Sequence, residues 1–208
     1  MSKPHPLVIL LMNFLGIKKR FYLRSYGLCI IRFSLNVRVI FGMNGSIKSI
    51  FLKKRYLQLQ GLGRSSLIQK ASQDFQSLED NELLELNLVA MRVDEICKAA
   101  SENQVSVFVD AEDSWYQNYI DQLVESMIFK YNNELSIVFN TIQLYRHDRL
   151  QYMIGLISRC NLNGKKLGLK LVRGAYMEKE REQSAKRNYP DPIQKDKRAT
   201  DNDYTKAV

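Results

Sequence analysis

The first 73 residues of this 208-residue chain contain no aspartate or glutamate. They carry 13 lysines and arginines, and the first carboxylate is Asp74. The rest of the chain holds the other 18 basic residues and all 22 acidic ones, which is a net charge of −4. The overall charge of +9 therefore belongs to the N-terminal third. The aromatic residues of that third do not form an interleaved pattern for base stacking, so we predict no nucleic-acid partner.

Histidine and cysteine are scarce. His5 and His147 are the only histidines, which excludes a histidine-rich metal centre, and we predict no metal site. Cys29, Cys97 and Cys160 lie far apart and form no CxxC pair. This pattern favours ordinary thiols in a reducing compartment over a disulfide framework or a zinc site.

No apolar run reaches the length of about 20 residues that a membrane-spanning helix needs. The stretch PLVILLMNFLGI at residues 6–17 is short, and three basic residues follow it instead of a small-residue cleavage site. We interpret residues 1–54 as a basic, acid-free leader of uncertain structure. A poorly structured or non-native leader and a mitochondrial presequence both fit its composition.

Four short strands are predicted from residue 55 onwards. The first lies in RYLQLQGLG and ends at its glycines, and the second, VSVFV, ends on Asp110. The third is LSIVFN, which ends on Asn140, and the fourth is KLGLKLV. The apolar run of the second strand is continuous, which is typical of a strand that is covered on both faces.

Apolar stripes at helical spacing predict three helices between these strands. A capping box of Ser77 with Asp80 begins the first, and Ser114 with Gln117 begins the second. The third helix ends near residues 163–164, and its predicted stripe is Leu150, Met153, Ile154 and Ile157. The charged segment MEKEREQSAKR is predicted to be a helix or turn after the fourth strand.

This βαβαβαβα order requires parallel strands with right-handed crossovers. A doubly wound sheet and a (βα) barrel both satisfy it. A doubly wound dinucleotide-binding sheet usually has a GxGxxG turn after its first strand, whereas GLGRSS has only two of the glycines. Polar residues instead follow successive strands, where a barrel builds its active site. The sequence therefore predicts a (βα)8 barrel of which about half is present.

Three strand-end positions carry candidate chemistry. Asp110 could cap a helix, pair with a cation or act in catalysis, and Asn140 could satisfy loop backbone. Lys170 lies between two leucines inside a strand, where a cation is costly unless an anionic or electron-rich group meets it. Arg173 and Gly174 add a guanidinium beside a position that backbone or ligand can approach closely. Together these residues indicate a site for an anionic cofactor.

Four segments, in this order, closely resemble the proline dehydrogenase family: VFVDAEDSW, IVFNTIQLY, KLGLKLVRGAYMEKER and YPDPIQKDKRATDNDY. The resemblance covers roughly residues 55–208. It implies a distorted (βα)8 barrel that holds FAD at the carboxyl ends of its strands. It also implies oxidation of L-proline to 1-pyrroline-5-carboxylate by hydride transfer to the flavin, with electrons passed on to a membrane quinone.

The resemblance also assigns roles to individual residues. Asp110 and Lys170 match active-site positions, and Lys170 would lie near the N5 and N1 edge of the flavin. The flavin-contacting positions that it implies are Ala111, Asn140, Lys170, Arg173, Gly174, Ala175 and Tyr176. A cation near the flavin would stabilise its anionic reduced form.

Two departures from the family pattern bear on activity. Gln58 occupies the position of a lysine that helps to bind the proline carboxylate, and a neutral amide supplies no charge there. If that alignment is shifted, then Lys53, Lys54 and Arg55 are the nearby cations. The segment TDND looks like a helix start with only five residues after it, so the later strands and an arginine pair of the family are expected to be missing.

Two functions remain open on these grounds. One is an FAD-dependent proline dehydrogenase, and the other is a catalytically inactive remnant of such an enzyme. The body of the chain is similar to bacterial members of the family, which implies the cytoplasm at the inner membrane surface with peripheral membrane association. The leader leaves a mitochondrial location as the alternative.

Overall fold

The computed structural model of this chain describes residues 21–24, 28–32, 38–42 and 55–208. Three strands, β1 (Phe21–Arg24), β2 (Leu28–Arg32) and β3 (Arg38–Gly42), form an antiparallel sheet in that order. The rest of the predicted leader, with Lys53 and Lys54, lies outside the described residues. Within the described ranges, no helix is both long enough and apolar enough to cross a membrane.

From residue 55 the chain forms a four-stranded parallel sheet with helices between its strands. The strands are β4 (Arg55–Leu57), β5 (Val107–Val109), β6 (Val138–Gln143) and β7 (Gly168–Val172). The helices are α1 (Ser65–Gln73), α2 (Asp80–Glu102), α3 (Ser114–Tyr131), α4 (Arg149–Leu162), α5 (Met177–Arg187) and α6 (Lys197–Ala207). The strand order β4-β5-β6-β7 follows the sequence, and every pairing is parallel. This arrangement confirms the predicted partial α/β barrel.

One face of the sheet packs against the helices and forms the main apolar core. Leu57, Val107, Val109 and Val138 are each at most 2% exposed in this cluster. The apolar stripes of α2 and α3 cover them and belong to the same cluster, with Val89, Val93, Cys97, Ala100, Ile120, Leu123, Val124 and Met127 buried. The burial of these strand side chains under the helices fixes the strand register, because a shift of one residue would turn them to the opposite face.

The other face of the sheet is lined by aromatic rings near the amino ends of the strands. Tyr56 and Phe108 have ring centroids 5.7 Å apart, and Phe108 stacks on Phe139 at 4.5 Å. Gly168 is next in this row, on β7. A Cβ atom at that position would lie 2.7 Å from the Phe139 ring, so only glycine lets the ring lie flat against β7.

Several helix starts differ from the predictions. Helix α1 was not predicted, since its apolar stripe is short. The capping box of α2 is formed by Glu79 and Glu82 instead of Ser77 and Asp80, and the Glu79 N–H donates to Glu82 Oε2 at 3.0 Å. The N-cap residue of α3 is Asp113, so Ser114 already lies in the first turn.

The remaining differences concern element ends and one helix face. Strand β4 ends at Leu57, earlier than the alternation in RYLQLQ indicated, because a 3-10 turn begins at Leu59. In α4, Ile154 and Ile157 are 46% and 37% exposed, since the buried face begins at Arg149 instead. Helix α6 begins at Lys197, so the TDND segment lies inside a helix and does not start one.

Candidate active site at the carboxyl ends of the strands

Asp110 and Lys170 meet at the carboxyl ends of the strands. Lys170 Nζ lies 2.6 Å from Asp110 Oδ1, and both side chains are partly exposed, at 34% and 23%. Lys170 Nζ also lies 5.0 Å from the centroid of the Tyr56 ring, which gives the ammonium a second electron-rich neighbour. The predicted cost of a cation inside this strand is therefore met by a carboxylate and an aromatic face.

These contacts show that the sheet is strongly curved. Lys170 lies on β7, whereas Tyr56 lies on β4, and two strands separate them. In a flat sheet, three strand spacings of about 4.8 Å would hold the two backbones roughly 14 Å apart, too far for two side chains that stand upright from the sheet to meet. The Lys170 side chain therefore crosses the concave side of a barrel-like sheet, on the same face as the aromatic row.

Gln58 and Gln143 lie at the same end of the sheet. Gln58 follows directly after β4 with an exposed side chain, and the Asp110 N–H donates to the Leu57 carbonyl beside it at 2.9 Å. Gln143 is the last residue of β6 and is 2% exposed. Gln143 is two residues after Thr141, which pairs with Lys170, so both side chains lie on the concave face. Gln143 was not among the predicted site residues, because the predicted third strand ends at Asn140.

The predicted place of Asn140 at this rim is wrong. Asn140 lies inside β6, fully buried, and pairs with Leu169, so its side chain faces the helices. Its amide donates to Asp121 Oδ1 at 3.0 Å and to the Tyr152 hydroxyl at 3.2 Å. Asp121 also pairs with Arg149 at 2.8 Å. Asn140 therefore belongs to a buried polar network between β6, α3 and α4.

The segment from Arg173 to Tyr176 forms an exposed loop between β7 and α5. The Arg173 guanidinium lies over the Tyr204 ring at 4.0 Å and 3.5 Å from an Asp201 carboxylate oxygen, so it points towards α6. Tyr176 has a positive φ of 53° at the N-cap of α5, and its side chain is 39% exposed. Gly174 and Ala175 are exposed as well. This loop is a second surface at the rim, beside the Asp110–Lys170 pair.

Three carboxyl groups crowd the loop after β5. Burial, followed by the charges of Asp113 and Asp110, raises the pKa of Glu112 from 4.5 to about 7. Asp113 is almost completely buried and pairs with Lys179 Nζ at 2.5 Å, and this hydrogen bond raises the pKa of Lys179. Ala111 lies buried between Asp110 and Glu112. In the described part of the chain, no group of three or more His, Cys, Asp or Glu residues could hold a metal ion.

Comparison with known proteins identifies the family of this site. Residues 36–208, most of the chain, match the family model described as Proline dehydrogenase. The chain belongs to the proline dehydrogenase family. This match begins before the predicted domain boundary at residue 55, which stays a prediction.

Relatives in several eukaryotes agree with this assignment. The chain is 35% identical to proline dehydrogenase 1, mitochondrial, of Drosophila melanogaster over 56% of its length, and 34% identical to the human protein of that name over 62%. It is 32% identical to a hydroxyproline dehydrogenase of Xenopus laevis over 69%. These matches span only 17%, 22% and 31% of the three relatives' own lengths.

Two solved structures share the fold of this chain. Proline utilization A from Bdellovibrio bacteriovorus superposes with a TM-score of 0.60 at 20% identity, over 72% of this chain and 14% of that protein. The Bradyrhizobium japonicum protein gives a TM-score of 0.61 at 18% identity, over 74% and 15%. The four-stranded parallel sheet with its helices thus has the fold of a partial α/β barrel.

Proposed function

We propose that this protein binds FAD at the rim around Asp110 and Lys170 and oxidises L-proline to 1-pyrroline-5-carboxylate. The observation that carries the proposal is the 2.6 Å contact between Lys170 and Asp110 on the concave side of the sheet. It places a cation and a carboxylate together at the end of the sheet where parallel α/β enzymes carry their active sites. The family membership supplies the reaction.

The residues at the rim fit a flavin. An ammonium has three N–H donors, and Lys170 uses one of them on Asp110, so others remain for an acceptor on the concave side. Its side chain is 34% exposed there, so a ligand can reach it. The exposed Gly174 and Ala175 backbone offers a surface along which a large planar cofactor can lie. Asn140 is not part of the proposed flavin site, because its amide is bonded on the helix side.

Each residue then has a distinct task. When bound, the flavin would supply the acceptor for the hydride that leaves the carbon next to the proline nitrogen, and the nitrogen would lose a proton to solvent. Lys170 stabilises the negative charge that develops on the cofactor, as a preorganised cation does best in a partly dehydrated site. Asp110 holds the Lys170 ammonium in place. The Arg173–Tyr176 loop positions the cofactor, and the exposed Gln58 faces the substrate side of the rim.

The electron acceptor and the location follow from the same proposal. A membrane quinone would take the electrons from the reduced cofactor, and the protein would then need peripheral contact with a membrane. The names of the Drosophila and human relatives support the mitochondrion over the bacterial cytoplasm as the place where this happens.

The experiment that tests this function is a titration of the purified protein with FAD, followed by addition of L-proline without oxygen. We expect quenching of flavin fluorescence on binding and loss of the oxidised flavin absorbance with proline. D-proline serves as the control substrate, since it presents the same ring with the opposite carboxylate geometry. A protein that binds no FAD, or whose flavin is reduced equally by both enantiomers, would contradict the proposal.

A second function, flavin binding without proline turnover, is favoured by Gln58. It stands at the end of β4 where the family resemblance implies a carboxylate-binding lysine, and hydrogen bonds to charged groups are roughly twice as strong as neutral ones. The variant Gln58→Lys separates the two functions. If Gln58 limits substrate binding, then Gln58→Lys lowers the proline concentration needed for half-maximal reduction, and Gln60→Lys on the following turn does not.

A further inference from the structure

Helix α5 is tied to the start of α3 by two neighbouring pairs of residues. Glu180 accepts two hydrogen bonds from Ser114, one from its backbone N–H at 2.5 Å and one from its hydroxyl at 2.6 Å. Next to it, Lys179 pairs with Asp113. Glu180 is only 1% exposed, which is rare for a glutamate. We call these four residues the α5–α3 clamp.

The clamp crosses the rim of the barrel. Helix α5 follows β7 and α3 follows β5, and these strands are not neighbours, because β6 lies between them. Helix α5 therefore passes across the carboxyl end of β6 to reach Ser114. The chain after α5 also contacts the loop after β6, where the Gln194 N–H donates to the Tyr145 carbonyl at 2.8 Å.

The buried Glu180 carboxylate suits the place where it is found. The first N–H groups of a helix have no partner within the helix, and the aligned peptide dipoles favour a negative charge at that end. Glu180 fills this position on α3, and the Ser114 hydroxyl satisfies its second oxygen. A buried charge is tolerated only with such compensation.

The loop that the clamp grips is already fixed from within its own part of the fold. The Glu112 N–H donates to Gln117 Oε1 at 2.9 Å, and the Glu112 carbonyl accepts from Gln143 Nε2 at 2.7 Å. Both glutamines are at most 2% exposed. Asp110 is thus anchored without α5, whereas the exposed loop from Arg173 to Tyr176 has few such anchors. The clamp therefore fixes the position of α5 relative to the Asp110 loop.

We propose that Glu180 is a positioning residue, which holds the Arg173–Tyr176 loop at a fixed place relative to Asp110 and Lys170. The geometry supports this, because Ser114 is four residues after Asp110 and Glu180 is four residues after Tyr176. The Glu180 N–H closes the first turn of α5 on the Tyr176 carbonyl at 2.8 Å. The consequence for flavin binding rests on the proposed function, whereas the consequence for the loop does not.

The test compares Glu180→Ala with Glu182→Ala in the full chain. Glu182 lies on the same helix, but its side chain is 70% exposed and makes only a 3.8 Å contact with Lys186. Hydrogen exchange of the flavin-free protein is measured by mass spectrometry over residues 174–182. We expect exchange there to rise about tenfold in Glu180→Ala, as for loss of a charge-assisted hydrogen bond, and to stay within twofold in Glu182→Ala.

Two further measurements keep the positioning role distinct from a merely structural one. The buried amides of α2, at residues 89–100, report global unfolding, and we expect their exchange to change less than twofold. FAD affinity, from fluorescence quenching, is expected to fall about tenfold in Glu180→Ala. Glu180→Gln keeps an acceptor for the Ser114 N–H, so we expect it to retain most of the FAD affinity. This variant also provides a test if Glu180→Ala does not fold.

Each outcome decides the proposal. Equal exchange of residues 174–182 in the two alanine variants would overturn it, and so would an equal rise over α2, which would mean a general loss of stability. If exchange changes locally but the wild-type protein binds no FAD, then the clamp stands and the proposed function fails. If FAD binds and Glu180→Ala loosens the loop without weakening FAD, then the loop is not positioned for the cofactor, and the inference is wrong.

Discussion

Lys170 on β7 and Asp110 after β5 form an ion pair across the carboxyl end of β6, with 2.6 Å between Nζ and Oδ1. The two residues are 60 positions apart and lie on strands that do not pair with each other. The curvature of the sheet brings them together. Their meeting point is therefore a product of the barrel fold, and it is the centre of the proposed flavin site.

The Asp110–Lys170 pair is expected to contribute little to stability. Both side chains are partly exposed, and exposed ion pairs are typically worth no more than about 1 kcal/mol. We expect Asp110→Asn to lower the free energy of unfolding in urea by less than about 1 kcal/mol. The same variant should strongly slow the reduction of the flavin by proline. A loss of 3 kcal/mol or more would mean that the pair is a structural element instead.

The buried pair of Asp121 and Arg149 is expected to behave in the opposite way. Arg149 and Asp121 side chains are only 3% and 7% exposed, and removing one partner leaves a buried charge uncompensated. We expect Asp121→Ala to destabilise the protein by roughly 3–5 kcal/mol in urea unfolding. Glu125→Ala, one turn further along α3, is the control, since its partner Arg159 is 44% exposed. Equal losses in the two variants would contradict this reading of the network.

Gly168 is expected to tolerate no side chain. An added Cβ atom would lie 2.7 Å from the Phe139 ring, and that ring cannot retreat easily because it stacks on Phe108 at 4.5 Å. We expect Gly168→Ala to cost about 1–3 kcal/mol in urea unfolding, as overpacked cores do. Gly155→Ala on α4 is the control, because its Cβ meets only the flexible end of Arg159 and alanine favours a helix. A Gly168→Ala protein as stable as the wild type would show that the aromatic row is loosely packed.

Glu112 should give the stability of the protein a specific pH dependence. Its pKa is about 7 in the folded protein, against an ordinary value of 4.5, because burial and the neighbouring Asp113 and Asp110 disfavour the charge. The folded state thus holds a proton that the unfolded state has lost between these values. Stability therefore falls as pH rises from about 4.5 to about 7, by at most roughly 3 kcal/mol.

Glu112→Gln removes this titration. We expect the variant and the wild type to unfold at similar urea concentrations at pH 5, and the variant to be more stable by about 1–3 kcal/mol at pH 8. Glu178→Gln, which changes an exposed glutamate in the first turn of α5, is the control. A difference between Glu112→Gln and wild type that is the same at both pH values would contradict the shifted pKa.

Much of the fold could be predicted from the sequence, because apolar periodicity reports burial directly. The stripes of α2 and α3 and the continuous run at Val107–Val109 are examples. The pattern failed where polar residues are buried. Asn140 looked like a strand end, since an amide inside a sheet is costly, but Asp121 and Tyr152 satisfy it from the helix side. The buried face of α4 also differs from the predicted one, because Arg149 is buried in an ion pair with Asp121.

The site was predicted only in part. Strand-end position and family resemblance were enough to bring Asp110 and Lys170 together. Gln143 and Glu180 were missed because their partners lie far away in the sequence: Gln143 bonds the Glu112 backbone, and Glu180 bonds Ser114. No local pattern marks such long-range contacts. A helix-cap signal at Ser114 was present, but the capping group comes from another helix.

The reduction potential of the bound flavin tests the central claim most directly, in wild type, Lys170→Met and Lys166→Met. Lys166 is an exposed lysine just before β7, at the opposite end of the sheet, so it controls for loss of one charge. A charge-assisted hydrogen bond is worth about 1.5–3 kcal/mol, which for a two-electron couple is about 30–60 mV. We predict that Lys170→Met lowers the potential by this amount and Lys166→Met by much less. Equal potentials in the two variants would mean that Lys170 does not face the flavin.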